Sequence, residues 1–263
     1  MQKPEIKEID SKQQIPVEEQ NVVFKPNEGP QTEFLAASQR EVLYGGSAGG
    51  GKSFAMLADP LRYMGHPAFS GLLLRHTTEE LRELIFKSKE LYPQIWKGIK
   101  WSERKMQWEA PSGARLWMSY LDRDDDVLRY QGLAFSWIGF DELTQWSTPY
   151  AWNYMRSRLR STASDLPVYM RATTNPGGPG HQWVKKMFID PAPYNKAFDA
   201  TNIETGRVLV YPENHSKAGQ SLFKRRFIPA KLADNPYLSS QGDYEAMLLS
   251  LPEHQRKQLL EGD

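Results

Sequence analysis

The feature that most constrains this chain is a glycine-rich loop between a short apolar stretch and a helical pattern. The apolar stretch is Val42-Leu43-Tyr44, and residues 46–53, GSAGGGKS, fit the pattern G-x-x-x-x-G-K-[ST]. Glycines let successive backbone N–H groups turn toward phosphate oxygens. Because a strand precedes the loop and a helix follows it, we interpret it as a nucleotide-binding loop and not as a flexible linker. The predicted ATP-binding residues in it are Gly46, Ser47, Ala48, Gly49, Gly50, Gly51, Lys52 and Ser53.

Two residues of this loop carry predicted chemistry, and a second segment supplies acids. Lys52 is expected to reach the β- and γ-phosphates as a catalytic cation, and the Ser53 hydroxyl to ligate Mg²⁺. The apolar run from Phe135 to Phe140 ends on Asp141 and Glu142. Ligands of open α/β sheets lie at the carboxyl ends of the strands. We therefore expect Asp141 to hold Mg²⁺ and Glu142 to polarise an attacking water. The alternative for two such acids is the cap of a helix N-terminus, which the glycine loop makes less favoured.

A third polar group follows the next predicted strand, Val168 to Thr174. Thr173, Thr174 and Asn175 are interpreted as a coupling or sensor group that bonds the γ-phosphate or the attacking water. The sequence Asn-Pro-Gly-Gly is also typical of an ordinary turn, and that alternative stays open.

Short apolar strands alternate with helices along the first 190 residues, which predicts an α/β fold with a mostly parallel central sheet flanked by helices. A period-two pattern over 106–109 and 115–120 predicts an inserted β-hairpin. Residues 1–20 are predicted to be a flexible tail, 21–190 the core, and 191–263 a small C-terminal peripheral subdomain with one strand candidate at 208–211. Predicted helices are a short one ending at Arg40, 52–63 with Pro60 ending or bending it, 78–91 behind a Thr77/Glu80 capping box, and one reaching Arg160 after Ser147-Thr148-Pro149.

Composition excludes several classes of protein. The absence of cysteine excludes disulfide scaffolds and thiolate metal sites. No apolar run approaches the length of a membrane span, and the polar N-terminus is not a targeting signal. The 33 basic and 32 acidic residues give a net charge of +1, so a polycationic surface is also excluded. We expect a soluble, cytoplasmic protein that does not bind a membrane.

Taken in order, these segments resemble the ATPase domain of the large terminase subunit of tailed bacteriophages, over about residues 20–263. The glycine loop resembles the Walker A segment of that family, and Ile138 to Glu142 its Walker B segment. The more discriminating matches are the coupling segment and the stretch leading out of the domain. The remaining matching residues are Pro26 to Gln31 with Phe34-Leu35, Thr173-Thr174-Asn175-Pro176 with Trp183 and Phe188, Asp234-Asn235-Pro236-Tyr237, Tyr244, and Pro252 to Gly262.

The resemblance implies an ASCE-type P-loop NTPase whose Mg²⁺-dependent ATP hydrolysis drives double-stranded DNA into a procapsid. It implies that Gln31 contacts adenine. The implied partners are the portal protein, the small terminase subunit and further copies in a homo-oligomeric ring, expected to be a pentamer. The implied location is the host cell cytoplasm and the procapsid portal, not the mature virion. Family members usually continue into a nuclease domain, so the end at Asp263 predicts the motor part alone, without nuclease activity.

One departure from the family concerns the arginine that many members carry in the glycine loop, since positions 47–50 here are Ser-Ala-Gly-Gly. A neighbouring subunit can supply that charge. Arg129 matches the position of the family's trans-acting arginine finger, with Arg123, Arg158 and Arg160 as reserves. A surface arginine paired with the acids at 124–126 is the alternative.

Candidate DNA-contacting residues are basic clusters, each equally typical of a solvated surface. These basic clusters are Lys185-Lys186, Lys224-Arg225-Arg226, Arg104-Lys105, and Arg156 with Arg158 and Arg160.

Other functions that share the glycine loop are a helicase or recombination ATPase, a small-molecule kinase, and a nucleotide-binding module that does not hydrolyse.

Overall fold

The computed structural model describes residues 22–192, 195–236 and 243–256. The predicted tail, Tyr237 and the end of the closing stretch from residue 257 onward lie outside the described residues. The strands are β1 (Glu41–Gly46), β2 (Ser70–Arg75), β3 (Lys100–Ser102), β4 (Gln107–Glu109), β5 (Arg115–Tyr120), β6 (Trp137–Phe140), β7 (Tyr169–Thr174), β8 (Ala197–Asp199) and β9 (Lys224–Ala230). The helices are α1 (Pro30–Ala36), α2 (Lys52–Ala58), α3 (Thr78–Ile95), α4 (Tyr150–Arg156), α5 (His181–Phe188), α6 (Asp243–Leu249) and α7 (Glu253–Arg256), with 3₁₀ turns at Asp59–Tyr63, Asp124–Tyr130, Leu143–Gln145 and Leu232–Asp234.

All of these strands join one sheet in the order β3-β4-β5-β2-β6-β7-β1-β9-β8. The pairings from β5 through β9 are parallel, while β3, β4 and β8 add antiparallel edges. The predicted α/β fold and its hairpin, formed by β4 and β5, are confirmed. Strand β7 lies between β1 and β6. The glycine loop follows β1, the coupling segment follows β7, and the two acids follow β6. The carboxyl ends of these three strands are therefore neighbours.

Apolar side chains cover both faces of the sheet. In β6, Ile138 and Phe140 belong to the cluster that includes residues of α4 and α5, whereas Trp137 belongs to the cluster with residues of α2 and α3. This alternation follows from the period of two along a strand. The sheet is buried on both faces, which is why β1, β6 and β7 are fully buried along their length.

Helix α3 begins where the sequence predicts it. The Thr77 hydroxyl accepts the Glu80 N–H at 3.3 Å, and the Glu80 carboxylate accepts the Thr77 N–H at 3.3 Å, which completes the predicted capping box. The helix extends to Ile95, past the predicted end at Leu91, with Pro93 in its last turn.

The predicted helix over 52–63, with Pro60 ending or bending it, is confirmed: α2 is followed by a 3₁₀ turn from Asp59, because Pro60 has no N–H to continue the α pattern. Other predicted helix boundaries are wrong. Helix α1 ends at Ala36 and not at Arg40. Helix α4 ends at Arg156 and does not reach Arg160, and Pro149 occupies its N-cap position, not the first helical position. Residues 158–160 instead run beside Phe135, which exchanges two 3.0 Å backbone hydrogen bonds with them.

The segment after residue 190 contributes more to the sheet than the sequence predicts. Strand β9 contains the basic run Lys224-Arg225-Arg226 and pairs with β1 along most of its length. Val208 and Val210 form only isolated bridges, so the predicted strand at 208–211 is wrong in extent. Within the described part of the chain, every helix is too short or too polar to cross a membrane.

Candidate active site

The glycine loop connects β1 to α2 and is held against the end of β9. Gly46, Gly49 and Gly51 have φ angles of 131°, 78° and 72°, a region that favours glycine. A Cβ on Gly46 would lie 2.0 Å from the Ala230 carbonyl oxygen, so no side chain fits there. The Ser47 N–H donates to that same oxygen at 2.9 Å. The loop is therefore shaped by packing against β9 as well as by its own glycines.

Lys52 lies at the start of α2 with its side chain folded toward the loop. It is 6% exposed, and Nζ donates to the carbonyl oxygens of Gly46 at 3.3 Å and Ser47 at 2.5 Å. Burial lowers the pKa of Lys52 to about 8, against the opposing effect of the carboxylates of Glu142 and Asp141. At neutral pH the ammonium is still charged, and it lies among groups suited to a phosphate.

Asp141 follows β6 and is fully buried. The Thr173 hydroxyl donates to its Oδ1, and Arg75 Nε lies 3.3 Å from its Oδ2. The Arg75 contact is a charge interaction without hydrogen-bond alignment, because neither Arg75 Nε nor Asp141 Oδ2 has a hydrogen-bond partner among the described residues. Asp141 thus retains one oxygen that can accept a further partner.

Glu142 has a left-handed backbone, with φ of 59°, which turns its side chain away from the path of β6. Its N–H donates to the Thr173 hydroxyl at 3.1 Å. Its carboxylate accepts the Asn175 N–H at 3.0 Å and the Asn175 side-chain amide at 3.0 Å. Burial raises the pKa of Glu142, as does the charge of Asp141, while Lys52 and Arg75 oppose the rise. A raised pKa makes a carboxylate a stronger base.

The segment from Thr173 to Gly178 forms the predicted turn and contacts the residues around Glu142, while its coupling or sensor role stays a prediction. The Thr174 hydroxyl donates to the Thr144 hydroxyl at 2.9 Å, and Thr144 Oγ1 donates to the Asn175 carbonyl at 3.2 Å. A Cβ on Gly178 would lie 2.9 Å from the Thr144 carbonyl oxygen. The turn therefore packs directly on the residues that follow Glu142.

A cavity of about 840 Å³ lies over the loop. It brings together predicted residues from three segments: the glycine loop, Glu142 and Asn175. Among the described residues, no group of three or more His, Cys, Asp or Glu could hold a metal ion. Of the two predicted Mg²⁺ ligands, Ser53 lines the cavity and Asp141 does not, so their shared role stays a prediction. The residues lining the cavity are Val23, Phe24, Lys25, Asn27, Gln31, Ala48, Gly49, Gly50, Gly51, Lys52, Ser53, Phe54, Glu83, Lys87, Glu142, Asn175 and Asn235.

Gln31 lies beneath the loop and is 4% exposed. Its side-chain amide donates to the Gly51 carbonyl at 2.9 Å, and its side-chain oxygen accepts the Asn27 N–H at 2.6 Å. Its predicted contact with adenine stays a prediction.

The arginine candidates lie elsewhere. Arg129 forms an ion pair with Asp126 at 2.8 Å and lies over the Tyr120 ring, and neither it nor Arg123, Arg158 or Arg160 lines the cavity. The predicted surface pairing of Arg129 is thus present. Its role toward a neighbouring subunit stays a prediction.

The basic clusters differ in exposure. Arg225 is 1% exposed and bonds Glu41 at 2.7 Å, which excludes it as a surface contact for DNA and corrects that prediction. Its burial results from its place in β9. Arg226 pairs with Glu33, Lys224 with Asp199, Lys185 with Asp190 and Arg156 with Glu41, while Arg104, Lys105 and Lys186 are exposed.

Two site residues were missed from the sequence. Arg75, at the end of β2, lies beside Asp141. The sequence pattern that could have identified it is a basic residue at the end of a buried strand. Asn235 donates its side-chain amide to the Gly49 carbonyl from a segment 186 residues away. No local pattern reveals such a long-range contact.

Comparisons with known proteins agree on one family. A family model described as terminase large subunit, T4likevirus-type, N-terminal, matches residues 43–256. Comparison with curated proteins gives no match.

Solved structures show the same fold. The large terminase of a thermophilic bacteriophage, in complex with ADP, aligns with a TM-score of 0.61 at 15% identity, covering 91% of this chain and 53% of that one. The large terminase ATPase domain of Thermus phage P74-26 aligns with a TM-score of 0.57 at 13% identity, covering 91% of this chain and 94% of that one. The chain thus spans about half the length of the ADP-bound terminase and nearly all of the Thermus phage domain. At these identities the likeness shows the fold alone, a P-loop fold of the ASCE type.

Proposed function

Because this chain belongs to the family of T4-type terminase large subunits, to their N-terminal part, we propose that it is an ATP-hydrolysing motor domain that drives double-stranded DNA into a procapsid. The observation that carries the proposal is the convergence of Lys52, Ser53 and Glu142 on one cavity. The cavity volume of about 840 Å³ suits a nucleotide, since ligand pockets measure about 300–1,000 Å³.

Binding is assigned to the glycine loop. Its backbone N–H groups are the donors for phosphate oxygens, and Lys52 supplies the positive charge for the β- and γ-phosphates. Lys52 then exchanges its bonds to the carbonyl oxygens of Gly46 and Ser47 for bonds to phosphate. Loop and lysine together hold the γ-phosphate near Glu142.

Hydrolysis is assigned to Glu142. It accepts a proton from water while the water oxygen bonds to the γ-phosphorus and the bond to the ADP oxygen breaks, which gives ADP and inorganic phosphate. Asn175 holds both carboxylate oxygens, and each oxygen has a second acceptor position for a water hydrogen. Asn175 thus orients the Glu142 carboxylate and leaves each of its oxygens able to accept a hydrogen bond from water.

Mg²⁺ fits the donor set, because Asp141 Oδ2 is buried without a hydrogen-bond partner among the described residues and Ser53 lines the cavity. Asp141 and Ser53 would hold it. When bound, the ion supplies charge that offsets the charge of the phosphates.

The partners are part of the proposal. We assign double-stranded DNA, the portal protein, the small terminase subunit and a homo-oligomeric ring as partners of the proposed motor. Family membership supports this assignment. Arg129 is exposed on its own 3₁₀ turn, as a residue that acts on a neighbouring subunit must be.

The test is steady-state ATP hydrolysis by the purified chain with Mg²⁺, without DNA and with double- or single-stranded DNA. We expect hydrolysis that Lys52→Ala abolishes and that double-stranded DNA stimulates more than single-stranded DNA. No hydrolysis at any protein concentration, with nucleotide shown to be bound, would contradict the enzymatic part. Stimulation by single-stranded DNA alone would favour a helicase or recombination ATPase.

A further inference from the structure

A second cavity, of about 610 Å³, lies where β1, β7 and β9 begin, at the edge of the sheet opposite to the glycine loop, and is here called the amino-edge cavity. Its volume falls in the range of small-molecule sites, about 300–1,000 Å³. Among the described residues, none lines both this cavity and the cavity over the glycine loop. The amino-edge cavity is therefore a separate candidate site.

The lining of the amino-edge cavity is positively charged, and none of the described residues that form it carries a carboxylate. Asp59 pairs with one lining cation, Arg62, at 2.9 Å. Asp199 pairs with another, Lys224, at 3.3 Å. Four lining cations against these two carboxylates leave an excess of two positive charges. The four cations are Arg40, Arg62, Arg171 and Lys224.

Arg40 keeps its charge available to a ligand. Its side chain is half-buried and forms no ion pair with a described residue. Its guanidinium carbon lies 6.0 Å from the centre of the Phe223 ring, which also lines the cavity. An anion in the cavity would therefore meet a cation that is held by an aromatic ring and not by a competing carboxylate.

Arg171 brings a buried charge to the lining. It is 2% exposed, and its guanidinium donates to the backbone carbonyls of Gln39 and Met170 at 3.0 Å and of Ala37 at 2.6 Å. The Asp59 carboxylate lies 3.7 Å from Nε, and Nε has no hydrogen-bond partner among the described residues. Burying a charge without a hydrogen-bonded counter-ion costs stability, which is consistent with a group placed for an anion.

Tyr169 adds an unused hydrogen-bond donor. It is 6% exposed and lines the cavity, and its hydroxyl has no hydrogen-bond partner in the part of the chain that the structure describes. The Arg171 guanidinium carbon lies 4.3 Å from the centre of the Tyr169 ring, so the ring is held by packing. Because buried hydroxyls are normally hydrogen-bonded, an unused one beside a cavity indicates a ligand with an acceptor atom.

We propose that the amino-edge cavity binds the phosphate group of a small molecule. A phosphate monoester carries close to two negative charges at neutral pH and three acceptor oxygens, which match the excess charge and the donors of Arg40 and Tyr169. A carboxylate carries one charge and would leave half of the excess unmatched. A small molecule is favoured over duplex DNA, because Arg171 and Tyr169 are too deeply buried to reach a phosphate on the surface of a duplex.

The experiment is equilibrium dialysis of radioactive inorganic phosphate against the full chain in sulfate-free buffer. Because the glycine loop is also expected to bind phosphate, every measurement is made in the Lys52→Ala background, which removes the ammonium from that loop. We expect this background to bind one phosphate per chain. Adding Arg40→Gln should raise the Kd at least about 10-fold, the effect of losing a charged hydrogen bond, and adding Tyr169→Phe should raise it about 3- to 10-fold.

The matched control is Arg104→Gln, because Arg104 is exposed on the turn between β3 and β4 and lies outside the cavity. It makes the same change of charge and should leave the Kd unchanged. A thermal melt of each variant shows whether it folds. Tyr169→Phe should melt with its parent, since its hydroxyl has no described partner to lose, so it decides even if Arg40→Gln does not fold.

Free inorganic phosphate and a phosphomonoester are two sources of the same group, and competition with uridine 5′-monophosphate distinguishes them. Tighter binding of the monophosphate supports a phosphomonoester whose organic part lies against the rings of Tyr63 and Phe223. Weaker binding of the monophosphate supports free phosphate as the ligand.

Three results would overturn the proposal. The first is no phosphate binding in Lys52→Ala, which would confine phosphate to the glycine loop. The second is binding that both Arg40→Gln and Tyr169→Phe leave unchanged, which would place the phosphate elsewhere. The third is displacement of phosphate by a short DNA duplex and not by the monophosphate, which would contradict a small-molecule ligand. None of these results depends on ATP hydrolysis, so they are independent of the proposed function.

Discussion

At the scale of single residues, the site contains charges that folding removes from water. Lys52 is 6% exposed, and the described residues offer it two loop carbonyls and the nearby carboxylates of Glu142 and Asp141. Burial of this charge costs stability, which is consistent with a group placed for a ligand and not for the fold. The lowered pKa of Lys52 gives this cost a measurable dependence on pH.

We predict that the unfolding free energy of the wild type rises relative to that of Lys52→Met between pH 7 and pH 10, by about 2–3 kcal/mol. Below the folded pKa of about 8, Lys52 is charged in both states and the folded state bears the full cost of burying it. Above that pH the folded protein loses the proton first, since the unfolded pKa is near 10.5, so the cost is relieved. Urea unfolding of both proteins at the two pH values measures the effect. Parallel pH dependences would show that the pKa of Lys52 is not lowered.

At the scale of elements, the position of β7 between β1 and β6 explains how the site forms. The register pairs Tyr44 with Thr173 and Phe140 with Ala172, so Thr173 lies within reach of Asp141 and Glu142. After β7 the turn packs on the 3₁₀ turn at Leu143–Gln145 and leads into α5. Movement of this turn would therefore change the position of the Glu142 carboxylate directly.

We predict that Gly180→Ala destabilises the protein by about 2–3 kcal/mol, because a Cβ there would lie 2.1 Å from the Trp146 carbonyl oxygen and 2.6 Å from Trp183 Nε1. Trp183 Nε1 donates to that oxygen at 2.7 Å, so neither group can move without breaking a buried hydrogen bond. Chemical denaturation measures the loss. Gly206→Ala is the control, because nothing lies within 4 Å of its Cβ and only its φ of 68° opposes the change, at a cost of about 1 kcal/mol. Equal effects of the two substitutions would contradict the packing argument.

At the scale of the whole molecule, the sequence predicted the parts that depend on local pattern. The α/β alternation, the capping box at Thr77 and the strand–loop–helix around Lys52 follow from periodicity and from glycine chemistry over a few residues. Family membership follows from the order of such segments along the chain. The convergence of β1, β6 and β7 was also predictable, because ligands lie at the carboxyl ends of parallel strands.

What the sequence did not predict depends on contacts between distant segments. Strand β9 carries three consecutive basic residues, which suggested a surface, yet Arg225 is buried because Glu41 lies beside it on β1. The carbonyl of Ala230, at the end of β9, accepts the Ser47 N–H of the glycine loop. Asn235, which follows β9 in the chain, donates its side-chain amide to the Gly49 carbonyl. Periodicity cannot reveal such pairings, since they are set by which strands become neighbours.

The most direct test of the central claim, that this molecule hydrolyses ATP through Glu142, is a single-turnover measurement at known nucleotide occupancy in the wild type and Glu142→Gln. Glutamine keeps the size of the side chain and removes the base. We predict unchanged ATP binding, within about 3-fold, and hydrolysis at least about 100-fold slower, the usual effect of losing a general base. Hydrolysis by Glu142→Gln at the wild-type rate and equal occupancy would contradict the account.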